Sequence, residues 1–174
     1  EQGRICGEIL RSAEGRMSTK HSQFEEIAHY YDSLMKCVPY RQWVSFVIEV
    51  AKRSGVKPQK ALDLACGPGA VSELPAKAGI DVVGVDISPQ MISVAQRKAA
   101  ENRLDIKYCV QNAAQLSLPH RFDLAVSLFD SLNYITDPAD LESAFRRVNE
   151  HLQNGGLFIF DMNTEYALSH GFFN

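Results

Sequence analysis

Two glycines and one aspartate are the residues whose types and spacing suggest chemistry. The segment Asp63-Leu-Ala-Cys-Gly-Pro-Gly-Ala70 follows a short apolar run and contains Gly67 and Gly69. Glycines let a backbone bend sharply and let a ligand approach where a Cβ would stand in the way. A helix after such a bend aims its first amides toward the ligand. Asp86 stands 19 residues beyond Gly67, at the end of Asp81-Val-Val-Gly-Val-Asp86. A carboxylate about 20 residues past the bend accepts hydrogen bonds from the ribose hydroxyls of an adenosine. Taken singly, the bend reads as a tight turn without a ligand, and Asp86 reads as a helix cap beside Ser88. Taken together, they point to nucleoside binding.

The pattern departs from the dinucleotide form G-x-G-x-x-G/A, because Ser72 holds the third position. No G-K-S or G-K-T occurs, which argues against a phosphate loop. The four cysteines (Cys6, Cys37, Cys66, Cys109) form no C-x-x-C pair and suggest neither zinc nor a disulfide framework. They fit a reducing, cytoplasmic setting. The histidines His21, His29, His120, His151 and His170 are scattered and lack metal-ligand spacing. A net charge of −3 gives no footprint for a nucleic-acid backbone. No apolar run reaches the roughly 20 residues of a membrane span.

These residues need elements to hold them. Ser22 to Lys36 reads as a helix with Phe24, Ile27, Ala28, Tyr31, Leu34 and Met35 near one face. Tyr40 to Ser54 reads as a second helix with Trp43, Phe46, Val47 and Val50 apolar, ended by Gly55 and Pro58. Strands follow at 60–65, 81–86, 105–110, 122–128 and from Gly156 or Leu157 to Met162. Helices are expected over 70–78, from Pro89 to Asn102 with Ser88 as cap, and over 138–152 with Asn154-Gly-Gly156 as the stop. Residues 112–119 read as a loop. Such alternation predicts a doubly wound, mostly parallel α/β sheet of five strands, covered by helices on both faces. Ligands of such sheets bind just beyond the strands' carboxyl ends. Three parts are expected: a tail over 1–21, lid helices over 22–58 and the α/β domain over 59–174. Met17 leaves open whether residues 1–16 precede the native start.

The chain resembles the class I S-adenosylmethionine-dependent methyltransferases, in particular a bacterial small-molecule methyltransferase-like subgroup. Leu62-Asp-Leu-Ala-Cys-Gly-Pro-Gly69 resembles the first motif and Val83-Gly-Val-Asp-Ile-Ser-Pro-Gln-Met91 the second. Val110-Gln-Asn-Ala-Ala-Gln-Leu-Ser-Leu-Pro119, then Phe122-Asp-Leu-Ala-Val126, resemble the third and fourth. Asp130-Ser-Leu-Asn-Tyr-Ile135 and Phe160-Asp-Met-Asn-Thr164 are similar to the subgroup. The resemblance spans roughly residues 22–168 and implies a Rossmann-like methyltransferase fold.

It also implies site roles. Asp63 and the backbone from Ala65 through Cys66 and Gly67 to Gly69 would hold the methionine end of S-adenosyl-L-methionine. Asp86 would take the ribose hydroxyls, and Ile87 and Met91 the adenine faces. Asn112 stands where the family has aspartate; its side-chain oxygen can still accept from the adenine amino group. Ala113 would offer its amide to the ring, and Leu128 and Phe129 would border the methyl group. Ile27-Ala-His-Tyr-Tyr-Asp-Ser-Leu34 is similar to the family's A-x-x-Y-D segment. Tyr31 there either closes over the cofactor or packs as a half-buried aromatic. The family sheet continues past its fifth strand into an antiparallel hairpin that is missing here, so this piece could bind cofactor without turnover. The uncovered edge invites pairing, including oligomer formation.

Transfer to a small-molecule acceptor needs in-line positioning and no metal. The catalytic candidates are Asp130 and Tyr31; Asp130 could act as base, with a turn cap through Ser131–Asn133 as the plainer reading. Cys66 reads as packing. An NAD-dependent oxidoreductase is the first alternative, and a non-catalytic nucleoside-binding protein the second. An aminopropyl transferase would need an acidic cluster that the sequence does not display.

Overall fold

The computed structural model describes Tyr31 and residues 35–170. Its elements are α1 (Tyr40–Arg53), β1 (Lys60–Leu64), α2 (Glu73–Lys77), β2 (Asp81–Asp86), α3 (Pro89–Glu101), β3 (Ile106–Val110), β4 (Phe122–Ser127), α4 (Pro138–His151), β5 (Leu152–Phe160) and α5 (Glu165–Ser169). Short 3-10 turns, Ala113–Gln115 and Ser131–Tyr134, follow β3 and β4. The five strands are all parallel, in the order β3-β2-β1-β4-β5. The chain steps outward from β1 to β3, then returns to the other side of β1 for β4 and β5. Strand order therefore reverses between β1 and β4. A doubly wound sheet leaves its ligand crevice there.

Side chains alternate across each strand, so each face collects its own core. Leu62, Leu64, Val83, Val85 and Ala125 pack with Leu116, Leu132 and Val148 on one face. Ala61, Leu124 and Val126 pack on the other against Val44, Val47 and Ala51 of α1. Those three α1 residues recur at three- and four-residue intervals and form its inward stripe. Phe46 points outward and is 64% exposed. Ser88 caps α3 as expected, its hydroxyl accepting from the Met91 amide, and Asp137 caps α4 through Ala139.

Two boundaries differ from the sequence reading. The stretch expected to be helical over 70–78 becomes α-helix only at Glu73, with 70–72 still part of the turn. The second difference concerns Asn154-Gly-Gly156, which does not stop the helix. Helix α4 ends at His151, and β5 begins at once with Leu152. Phe122 pairs with Leu152, yet the next pair is Leu124 with Leu157. Residues 153–156 therefore bulge out. Gly155 takes φ +80°, and a Cβ on Gly156 would stand 2.9 Å from the Gln153 carbonyl oxygen. The glycines build the bulge, and Met162 falls beyond the strand. The tail 1–21 and most of the first expected helix lie outside the described residues.

Candidate functional site

The glycine turn closes on itself through hydrogen bonds. The Cys66 amide donates to the Val85 carbonyl at 3.0 Å, and the Gly69 amide to the Cys66 carbonyl at 3.0 Å. The Gly67 amide donates to Asp86 Oδ2 at 2.8 Å. Pro68 has no amide to give. From Cys66 to Gly69 the turn thus uses its own donors. It leaves none of the free amides that a pyrophosphate needs. Gly67 takes φ +53°, and a Cβ there would meet nothing within 4 Å, so a ligand can lie directly over it.

Asp86 is the link between the turn and the second strand. Its other oxygen, Oδ1, accepts from the Ser88 amide at 2.9 Å. The carboxylate therefore anchors the turn and heads the loop into α3, beside the Ser88 cap. Burial pushes its carboxyl up, against the pull of the Ser88, Gly67 and Ile87 amides. Each oxygen retains a further lone pair. Beside it the apolar surface is open: Ile87 is 43% exposed and Val110 48% exposed. Met91, expected on the same surface, is only 2% exposed and packs with Val94 and Tyr31.

Asp63 is 3% exposed and lies beneath the turn. Its Oδ2 accepts from the Ser72 hydroxyl at 2.5 Å, and Ser72 is itself fully buried. Burial pushes the Asp63 carboxyl up to about 7; the Ser72 bonds oppose this and the Asp86 charge adds to it. Ser72, which looked only like a departure from a dinucleotide pattern, is the partner of a buried carboxyl. Cys66 is buried, and its thiol is pushed well up by burial, then by the Asp63 and Asp86 charges. It is no thiolate nucleophile.

Across the crevice, the end of β4 carries backbone strain. Phe129 and Asp130 take φ +62° and +49°, facing Ala65 at φ +57° at the end of β1. Left-handed non-glycine residues cost about 1–2 kcal/mol each and cluster where a structure shapes a site. Tyr31, Tyr40, Leu128, Phe129 and Ser131 line the crevice together with Asp63 and the turn, around a partly open space of about 40 Å³. The Tyr40 and Phe129 rings meet edge to face at 4.9 Å, and Trp43 lies 5.6 Å from Phe129. Burial pushes the Tyr31 hydroxyl up, with smaller contributions from Tyr40, Tyr134, Asp130 and Asp86. Tyr40 and Ser131 join this lining, although the sequence motifs gave neither a place in the cofactor site.

Asp130 does not cap the Ser131–Tyr134 turn with its side chain. Its Oδ2 instead accepts from Asn163 Nδ2 at 2.7 Å, and its amide donates to Asp161 at 3.1 Å. Burial raises its carboxyl; Asn163 lowers it and Asp161 raises it further. On the adenosine side, Asn112 caps its own turn, with Oδ1 accepting from Ala114 at 2.9 Å. Ala113 follows on the same half-buried turn. Among the described residues no cluster of three metal-ligating side chains occurs, and no helix is long and apolar enough to cross a membrane.

The glycine turn, Asp86, Asn112 and Phe129 all fall within the reach of one family model. Residues 61–156 match the family described as the methyltransferase domain. The chain belongs to this family, a family of S-adenosylmethionine-dependent class I methyltransferases. A protein of Geobacillus sp. (strain WCH70) with a provisional methyltransferase name is 37% identical over 150 residues, which are 86% of this chain and 61% of that one. The ubiquinone biosynthesis O-methyltransferase of Haemophilus ducreyi is 28% identical over 151 residues, 82% of this chain and 63% of that one. Among solved structures, an S-adenosylmethionine-dependent methyltransferase from Clostridium acetobutylicum superposes with TM-score 0.75 and 37% identity, over 83% of this chain and 59% of that one. The chain thus spans about three fifths of these methyltransferases.

Proposed function

We propose that this methyltransferase domain binds S-adenosylmethionine in the crevice between β1 and β4 and presents its methyl group to a small-molecule nucleophile. One observation carries the reading: the Gly67 amide donates to the Asp86 carboxylate at 2.8 Å, which ties the glycine turn to the end of β2. In this reading Asp86 takes the ribose hydroxyls with its remaining lone pairs. Ile87 and Val110 flank the adenine, and Asn112 and Ala113 meet its edge. Asp63 and the turn backbone hold the methionine end. The bound sulfonium supplies an electrophilic methyl group. The chain's own task is then alignment and exclusion of water.

Tyr31, Tyr40 and Phe129 line the crevice beside the glycine turn. A buried Tyr31 hydroxyl stays protonated and can donate a bond but not accept a proton. Asp130, whose carboxyl burial raises, is the better base for an acceptor that begins protonated. A small-molecule acceptor is supported by the kinship with the Haemophilus O-methyltransferase. The free thiols of Cys37, Cys66 and Cys109 fit a cytoplasmic setting.

Calorimetric titration tests the reading directly. S-adenosylmethionine and S-adenosylhomocysteine are expected to bind saturably and NADH not at all. Binding of NADH alone would establish the oxidoreductase alternative. A smaller effect is expected at Asn112. Asn112→Ala removes the adenine partner together with a turn cap, and should weaken the cofactor about three- to tenfold, one hydrogen bond's worth. Unchanged affinity would mean that the ring is read by backbone alone.

A further inference from the structure

Two stretches of sequence outside the cofactor motifs, Asp130-Ser-Leu-Asn-Tyr-Ile135 and Asp161-Met-Asn-Thr164, leave the sheet side by side. The first follows β4 and the second follows β5, its parallel neighbour. The Asp161 amide still donates to the Ser127 carbonyl at 3.3 Å, so the two strand ends stay together. Beyond that point side chains join the loops. Asp161 Oδ2 accepts from the Asp130 amide at 3.1 Å, and Asp130 Oδ2 accepts from Asn163 Nδ2 at 2.7 Å. Asn133 Oδ1 accepts from the Asn163 amide at 3.0 Å, and Asn133 Nδ2 donates to the Asn163 carbonyl at 3.5 Å. Asp130 stands at the strained point of this network, with φ +49°. Its chain neighbours Phe129 and Ser131 both line the crevice. Among the described residues, the donor bonded to its carboxyl is Asn163, at Oδ2, and Oδ1 is left over.

We infer that Asn163 is a positioning residue for methyl transfer: from the loop after β5 it holds the Asp130 carboxyl by Oδ2 and leaves Oδ1 to meet the acceptor. The inference rests on the S-adenosylmethionine reading above and on the place of Asp130 within it. A base must lie within hydrogen-bond reach of the proton it takes, so its direction matters. Asp130 is fixed at two points, by its amide on Asp161 and by Oδ2 on Asn163. Asn163 is in turn fixed through its main chain by Asn133, which aims its side-chain amide. A bond from an amide N–H to a carboxylate is charge-assisted and stronger than a neutral one. An acceptor hydroxyl or ammonium then loses its proton to Oδ1 and keeps the electron pair that in-line attack needs.

Opposite signs are expected from the two partners of Asp130. The titratable groups acting on it or feeling its charge are Asp161 from the loop after β5, Tyr134 from the 3-10 turn and Tyr31 ahead of α1. None of them is a cation. Asn163 favours the Asp130 carboxylate, whereas burial and the Asp161 charge oppose it. Asn163→Ala removes the favourable bond and keeps both main-chain bonds to Asn133, so the loop stays tied. Asp161→Asn retains an oxygen for the Asp130 amide and removes the charge.

Carbon-13 NMR of the Asp130 carboxyl in the ligand-free protein tests this without any cofactor. Asn163→Ala should raise the titration midpoint by about one pH unit, and Asp161→Asn should lower it by about half a unit. In the unaltered protein the Asn163 side-chain amide signal should move with the same midpoint as the Asp130 carboxyl. An unmoved midpoint in Asn163→Ala, shifts of the same sign in both variants, or an Asn163 amide that ignores the titration would overturn the inference. Calorimetry with S-adenosylmethionine on the unaltered protein keeps the two readings apart. Opposite shifts in a protein that binds no S-adenosylmethionine would support the Asn163 bond and refute the cofactor reading. Saturable binding with an unmoved Asp130 midpoint would do the reverse.

Discussion

Asp86→Ala is expected to weaken S-adenosylmethionine binding by at least tenfold, and by a hundredfold or more where both ribose bonds are lost. Two hydrogen bonds from ribose hydroxyls to a carboxylate contribute about 1.5–3 kcal/mol each, and each 1.4 kcal/mol is tenfold in affinity. The change also frees the Gly67 and Ser88 amides, which donate to Asp86 at 2.8 and 2.9 Å. A water can replace one of these partners, so the fold should persist with a modest fall in melting temperature. Asp86→Asn retains one acceptor oxygen and should lose less. Its amide nitrogen must face either Gly67 or Ser88 as a second donor, so it will not behave as wild type. Calorimetric affinity beside a melting curve separates the two effects. Near wild-type affinity in a well-folded Asp86→Ala would remove the ribose assignment, and with it the reason for placing adenosine over Gly67.

The sheet and its crevice were legible because both depend on local signals. Continuous apolar strands, the Ser88-Pro89 helix start and the glycine turn each act within a few residues. Asp86 was legible because a fixed strand–helix–strand length brings it back to the turn. What was hidden depends on partners distant in sequence. Ser72 gains its meaning from Asp63, through a bond that exists only once the turn has folded. Tyr108 looked like one more strand residue, because the gap it fills belongs to a different strand. Asp130 heads a turn in the sequence, yet its side chain goes to Asn163 beyond β5. Asn154-Gly-Gly156 carries the same residues as a helix stop. The edge of β4 decides that they form a bulge instead.

Gly84→Ala is expected to be the most destabilising single-methyl change in the sheet. The φ of Gly84 is not left-handed, so an alanine backbone fits there and any cost is steric. The added carbon would stand 2.5 Å from the Tyr108 ring and 3.0 Å from Cys66 Sγ. The ring cannot swing away easily, because its far end already lies against Gly69 and Ala95. Overpacking of this kind costs about 1–3 kcal/mol, or roughly 3–10 °C in melting temperature for a domain of this size. Gly67→Ala makes the contrast: its Cβ meets nothing within 4 Å, and only its φ of +53° is unfavourable, about 1–2 kcal/mol. A double-mutant cycle isolates the cause. In a Tyr108→Ala background the space is vacant, and Gly84→Ala should cost less than half as much, a coupling of about 1 kcal/mol or more. Denaturant titration at constant m-value measures each corner. Strict additivity would show that the ring does not dictate glycine at position 84.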